Sequence, residues 1–178
     1  NLAANAFAPP PKEGAAKALD AADLGQLLDL VAGKLDAFSR SILEARLHNG
    51  PKVAELAATR RPPGLRELLD ESIRKLQLDA DPVEQQRHAL TFWDHVVDGA
   101  DSIAFRLMFN TLRAAYEPAL PALATMMAAE VGQVEAYRSV ARAIDAGDPA
   151  AAETAARELL EPATAALMTA LNILEGQP

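Results

Sequence analysis

Apolar residues recur at three- and four-residue intervals along most of the chain, and no stretch sustains a two-residue alternation. The first spacing gathers side chains on one face of an α-helix, whereas half-buried strands need the second. The pattern predicts an all-α protein. Its clearest passage runs from Phe92 to Tyr116 and reads as a helix end, a polar turn and a second helix. In the second helix Phe105, Phe109, Leu112 and Tyr116 follow one another at spacings of four, three and four. One residue further on runs a polar stripe of Arg106, Asn110, Arg113 and Glu117. In the turn, Gly99 is expected just past a helix end at positive φ, with Asp101 or Ser102 capping the next helix. Most of the few aromatic residues lie between Phe92 and Tyr116, so the centre of the core, and any ligand pocket, is expected nearby.

The rest of the chain divides at its prolines and glycines. Residues 1–21, rich in Ala, Pro and Gly with Pro9-Pro10-Pro11 extended, read as a linker. A first helix carries Leu24, Leu27, Leu28, Leu30 and Val31, capped by Asp20 or Asp23. A second, from about Leu35 to Thr59, is expected to kink or break at Asn49-Gly50-Pro51, because Pro51 lacks a backbone donor and crowds the carbonyl four residues back. After the loop Arg61-Pro62-Pro63-Gly64 a third helix covers Leu65 to about Gln77. Asp81 followed by Pro82 opens a fourth, to about Asp98. The fifth starts near Ser102 and is bent or broken by Pro118 and Pro121 before Leu123 to Val131. The sixth covers Val134 to Ala146. Asp148-Pro149 opens a seventh, to about Leu174, with a kink expected at Pro162. Beyond residue 21 no repeat or internal boundary appears, so residues 22–178 read as one all-helical domain.

Composition narrows the functions available. A chain of 178 residues with 50% hydrophobic positions is long enough to bury a sizeable core. A net charge of -8 disfavours a nucleic-acid surface on this chain. Cysteine is absent, which removes disulfides and thiolate chemistry and fits a cytoplasmic location. No apolar run reaches the length of a membrane span, and no membrane partner is expected. The start has neither a basic signal-peptide region nor an initiator Met, so a fragment of a longer protein is expected.

Candidate chemistry is sparse. His48, His88 and His95 are the three histidines; His95 and Asp98 have a three-residue spacing that a metal site uses, but surface or turn residues is the plainer reading. No HExxH, phosphate loop or Ser-His-Asp order is present, so no catalytic residue, metal site or cofactor is assigned and the chain is not expected to be an enzyme. Trp93 lies off the face of Phe92 and Val96, as a peripheral core ring or a pocket wall. Arg106, Asn110 and Arg113 form either a solvated helix face or the polar side of a pocket for an anionic, partly apolar ligand. Arg46 beside the proline kink carries the same two readings. Tyr137 is expected buried with its hydroxyl bonded.

Three segments carry a resemblance to a known family: Arg46 to Ala58, Phe92 to Tyr116, and Glu135 to Asp148 with its Ala-Ile-Asp-Ala-Gly-Asp ending. In them the chain resembles the FadR-type C-terminal ligand-sensing (FCD) domain of GntR-superfamily bacterial transcription regulators. The resemblance implies an antiparallel bundle of six to seven helices enclosing a small-molecule pocket, a homodimer, and a winged-helix DNA-binding domain upstream. Many members hold a metal with one Asp and three His. The matching positions here are Ala89, Trp93, Tyr137 and Leu159, which points to the metal-less branch that includes fatty-acyl-CoA-responsive members. There Asn110, Arg113 and Tyr116 match an Asn, a basic residue and a Tyr. The implied effector is a long-chain fatty acyl-CoA or related lipid, whose chain gains about 0.8 kcal/mol per buried CH₂. The candidate ligand-binding set is Arg46, Asn49, Trp93, Arg106, Asn110, Arg113, Tyr116 and Tyr137. The alternatives are a metal-independent sensor of small carboxylic acids and a helical dimerisation module without ligand.

Overall fold

The computed structural model describes residues 21–174 and, from residue 40 on, most of their side chains. The expected linker lies, but for Ala21, outside the described residues. The chain divides into two compact units, residues 1–36 and residues 37–178. In the first, residues 21–36 are helical; everything below concerns the second.

Seven α-helices are present among the described residues, and no strand. They are α1 (Ala21–Arg60), α2 (Leu65–Leu78), α3 (Pro82–Gly99), α4 (Ile103–Tyr116), α5 (Leu120–Val131), α6 (Val134–Ala146) and α7 (Pro149–Leu174), with a 3₁₀ turn over Glu117–Ala119 between α4 and α5. Local chemistry accounts for most boundaries. Asp81 caps α3, its Oδ1 accepting from the backbone N–H of Val83 at 2.8 Å and of Glu84 at 3.3 Å. Asp148 does the same for α7 through the N–H of Ala151 at 3.0 Å. Gly147 ends α6 at φ 65°, the left-handed conformation that glycine adopts without strain.

Three expectations are corrected. The two helices drawn before and after residue 35 are one helix, α1, and Pro51 lies inside it without ending it. Pro51 is fully buried, so packing of its ring offsets the missing hydrogen bond. Gly99 is the last residue of α3 and does not take positive φ; Asp101 does, at 42°. What Gly99 supplies is space: a Cβ there would lie 2.5 Å from Leu65 Cδ2. Ser102 stands at the N-cap of α4 without a side-chain capping bond.

Helix α2 packs on α3 and α6, α6 on α7, and α3 on α4 and α5. Val53, Ala54 and Ala57 of α1, Leu69 and Ile73 of α2, Phe92 and Val96 of α3, Val140 and Ile144 of α6, and Ala156 and Leu159 of α7 make one core. At its centre the Phe92 ring meets Trp93 and Tyr137 edge-on, with centroids 5.7 Å and 5.1 Å apart. Among its described side chains helix α4 contributes no fully buried residue to this core, and the cavity lies against it.

Candidate functional site

The aromatic face of α4 is a wall rather than a core filler. Phe105, Phe109, Leu112 and Tyr116 are each partly buried and line a cavity of about 130 Å³. Helix α3 closes it with Gln86, Ala89, Trp93 and Val97, α1 with Leu43, Arg46, Asn49 and Gly50, α5 with Met127 and Glu130, and α7 with Leu160 and Leu167. Gly50 allows this convergence, since a Cβ there would overlap Leu160 Cδ1. The lining is overwhelmingly carbon. Its volume resembles that of an engineered apolar cavity of about 150 Å³ that takes up benzene.

The cavity wall holds a charge pair, with Glu130 buried and Arg46 partly so. The Arg46 guanidinium bonds Glu130 Oε1 across helices α1 and α5. The Tyr137 hydroxyl donates to the same oxygen at 3.4 Å. Burial, the largest influence, pushes the Glu130 carboxyl up, against the pull of Arg46 and the Tyr137 hydroxyl. Burial works against the Arg46 charge too, but Glu130, helped by Tyr137 and Tyr116, holds it above the ordinary arginine value. The Tyr116 phenol is pushed up to about 12 by burial, which outweighs the nearby Arg46 charge. Tyr116 is neutral at physiological pH and donates its proton to Gln86 Oε1 at 3.1 Å. Among the described residues three buried side-chain atoms have no hydrogen-bond partner: Gln86 Nε2, Trp93 Nε1 and Glu130 Oε2. All three residues line the cavity.

Of the residues singled out from sequence, Arg46, Asn49, Trp93, Arg113 and Tyr116 lie on the cavity wall. Tyr137 stands one step behind it, fully buried and reaching the cavity through Glu130. Arg106 and Asn110 do not line the wall. Asn110 is exposed. Arg106 lies over the Phe109 ring at 5.8 Å and pairs with Asp94 and Asp98 of α3. Arg113 joins that network through Asp94 at 3.3 Å and Glu117 at 3.7 Å. The polar stripe of α4 is thus a cross-helix ion-pair seam.

Gln86 and Glu130 were not singled out from sequence. Glu130 had a signal, being the one charged residue in the apolar run Leu120–Val131. Gln86 had a weaker one, its seven-residue spacing from Trp93 on the same helix.

The residues at the positions that the resemblance assigns to a metal do not suit one. Ala89 and Leu159 offer only carbon, Trp93 an indole N–H that donates, and Tyr137 a buried hydroxyl directed at Glu130. Among the described residues no three His, Cys, Asp or Glu gather within metal-binding reach. His88 instead meets Asp79 at 3.1 Å. No described helix is long and apolar enough to cross a membrane.

Comparison with known proteins agrees with this architecture. The chain is 56% identical over 140 residues to the HTH-type transcriptional regulator Mce2R of Mycobacterium tuberculosis. It is equally similar to an uncharacterized HTH-type transcriptional regulator of Mycobacterium bovis. Each match covers 78% of this chain but 58% of the relative, so the chain spans little more than half the length of these proteins. Residues 41–168, which include every residue that lines the cavity, match the family model of the FCD domain. The chain belongs to the FCD domain family.

Proposed function

We propose that this chain is the effector-binding and dimerisation domain of a GntR-superfamily transcriptional regulator, with DNA contacts made by a winged-helix domain outside it. The observation that carries the reading is the apolar, aromatic-walled cavity at the junction of five helices, with unpartnered polar atoms in its lining residues. A solid core would have left no such space. The effector is a small, largely apolar molecule. A fatty acyl-CoA, which the resemblance implies, demands that the cavity widen, since about 130 Å³ falls below the roughly 300–1,000 Å³ of a drug-sized ligand site. A metal-independent carboxylate sensor would use Arg46 and Arg113, and the ion pairs that both already make weigh against it.

Five helices meet at the cavity, so filling it shifts their packing and hence the spacing of the attached DNA-binding domains. A ligand does this only by binding one arrangement more tightly than the other. The dimer forms through the outer face of α4, where Ile103 and Leu107 are exposed. The test is native and then denaturing mass spectrometry of the chain purified from its own host. A released small apolar molecule that alters operator affinity of the full-length regulator is expected. A chain that carries nothing and takes up no apolar probe ends the reading.

A further inference from the structure

The positive charges on the cavity wall are already engaged. Arg46 is paired with Glu130, and Arg113 with Asp94 and Glu117. The buried side-chain atoms that lack a partner among the described residues are Gln86 Nε2, Trp93 Nε1 and Glu130 Oε2, two N–H donors and one carboxylate oxygen. Gln86 and Glu130 are each 2% exposed and Trp93 9%. Leaving a buried polar atom unsatisfied costs about 1–3 kcal/mol. All three are sealed from water although their residues line the cavity, so a guest that draws the side chains round and completes these atoms binds with that advantage.

The class of molecule follows from the charges. A carboxylate or phosphate only accepts hydrogen bonds. It would answer Gln86 and Trp93 but bring a second negative charge towards the free oxygen of Glu130, and lose its own hydration in an apolar chamber. Arg46 does not relieve this, because Glu130 already neutralises it and Tyr137 holds Glu130 in place at 3.4 Å. A hydroxyl offers one donor and two acceptor lone pairs, complementary to one acceptor and two donors. The other groups around Glu130 are the Tyr116 and Tyr137 phenols, both pushed up by burial and hence neutral.

We infer that the cavity takes a neutral, hydroxyl-bearing apolar molecule, its O–H donating to Glu130 Oε2 and its oxygen accepting from Trp93 Nε1 or Gln86 Nε2, rather than an anion held by Arg46. This rests on the cavity being an effector site. Glu130 then has two tasks: it occupies Arg46, and it presents its second oxygen to the ligand. The space of about 130 Å³ suits one aromatic ring with a short substituent.

The test is titration calorimetry of the chain with three probes that share one ring: benzyl alcohol, benzoate and toluene, near neutral pH. Benzyl alcohol is expected to bind about tenfold more tightly than benzoate and more tightly than toluene. In Glu130→Gln, which leaves the Arg46 charge without its counter-charge, the preference for alcohol over benzoate is expected to shrink or reverse. If that variant fails to fold, the ratio in the parent chain decides. Benzoate binding as well as benzyl alcohol, or toluene doing so, overturns the inference and leaves the effector site standing. If none of the three binds, toluene included, the effector site falls and the inference with it.

Discussion

At the scale of single residues Glu130 sets the chemistry of the cavity, and its titration is open to measurement. Burial is the largest influence on its carboxyl and raises its pKa, opposed by Arg46 and the Tyr137 hydroxyl. A carboxyl whose folded pKa exceeds its unfolded one favours the fold fully below the unfolded pKa. That contribution is lost as pH rises through the folded pKa. Glu130→Gln removes this titration but keeps an oxygen for Arg46 and Tyr137. Relative to the parent its stability is expected to be near parity at the acid end and to improve as pH climbs from about 4. Urea unfolding at a series of pH values reads this, and a difference that shrinks with pH contradicts it. Glu130→Ala leaves Arg46 and Tyr137 without their acceptor and is expected to cost about 2–3 kcal/mol at neutral pH, because Arg46 keeps some access to water. Sequence reading picked out Arg46 but not its partner. The two residues are 84 positions apart, and periodicity along one helix carries no information about a pairing between helices.

At the scale of elements, the start signals of α3 and α7 and the stop signal of α6 are legible because each is a local contest settled within a few residues. The corner between α6 and α7 shows this most fully. Gly147 must take φ 65°, and a Cβ there would lie 2.6 Å from Arg61 Nη1. Asp148 then accepts the N–H of Ala151. Asp148→Ala is expected to cost about 1 kcal/mol, the usual worth of an N-cap. Gly147→Ala combines left-handed strain with a clash and is expected to cost more, about 1–3 kcal/mol. Thermal unfolding that ranks the two the other way would refute this account of the corner. Where sequence reading failed, packing overrode a local rule. Pro51 belongs inside α1 because its ring is buried. Gly99 is needed for the approach of Leu65 from α2 rather than for its own dihedral angles. The stripe of Arg106 and Arg113 was legible as a stripe, but the carboxylates of α3 that it faces became visible only once the helices were packed.

At the scale of the whole molecule, α4 has two working faces. Its inner face, Phe105, Phe109, Leu112 and Tyr116, lines the cavity. On its outer side Ile103 is 76% and Leu107 60% exposed, while Met108, 41% exposed, stands at the edge between the two faces, lining both the cavity and a shallow depression shared with Ala45, Leu107, Thr111 and Leu112. Apolar side chains exposed together on one helix mark a surface that meets a partner. In the proposed dimer that partner is a second copy, and a two-fold interface uses the same patch on both subunits. Each substitution then acts twice. Burying a leucine is worth about 1.5–3 kcal/mol, so Leu107→Glu is expected to weaken the dimer by about 3 kcal/mol or more, over a hundredfold in dissociation constant. Sedimentation equilibrium on parent and variant measures this directly, and a variant as dimeric as the parent would move the interface off α4. One helix serving both surfaces has a further consequence. If seating a guest against the inner face alters how the outer face meets its copy, then by reciprocity dimerisation alters guest affinity by the same factor. Toluene affinity measured on parent and Leu107→Glu tests this without a DNA-binding domain. A difference in affinity would place the coupling inside this helix, before any signal reaches DNA.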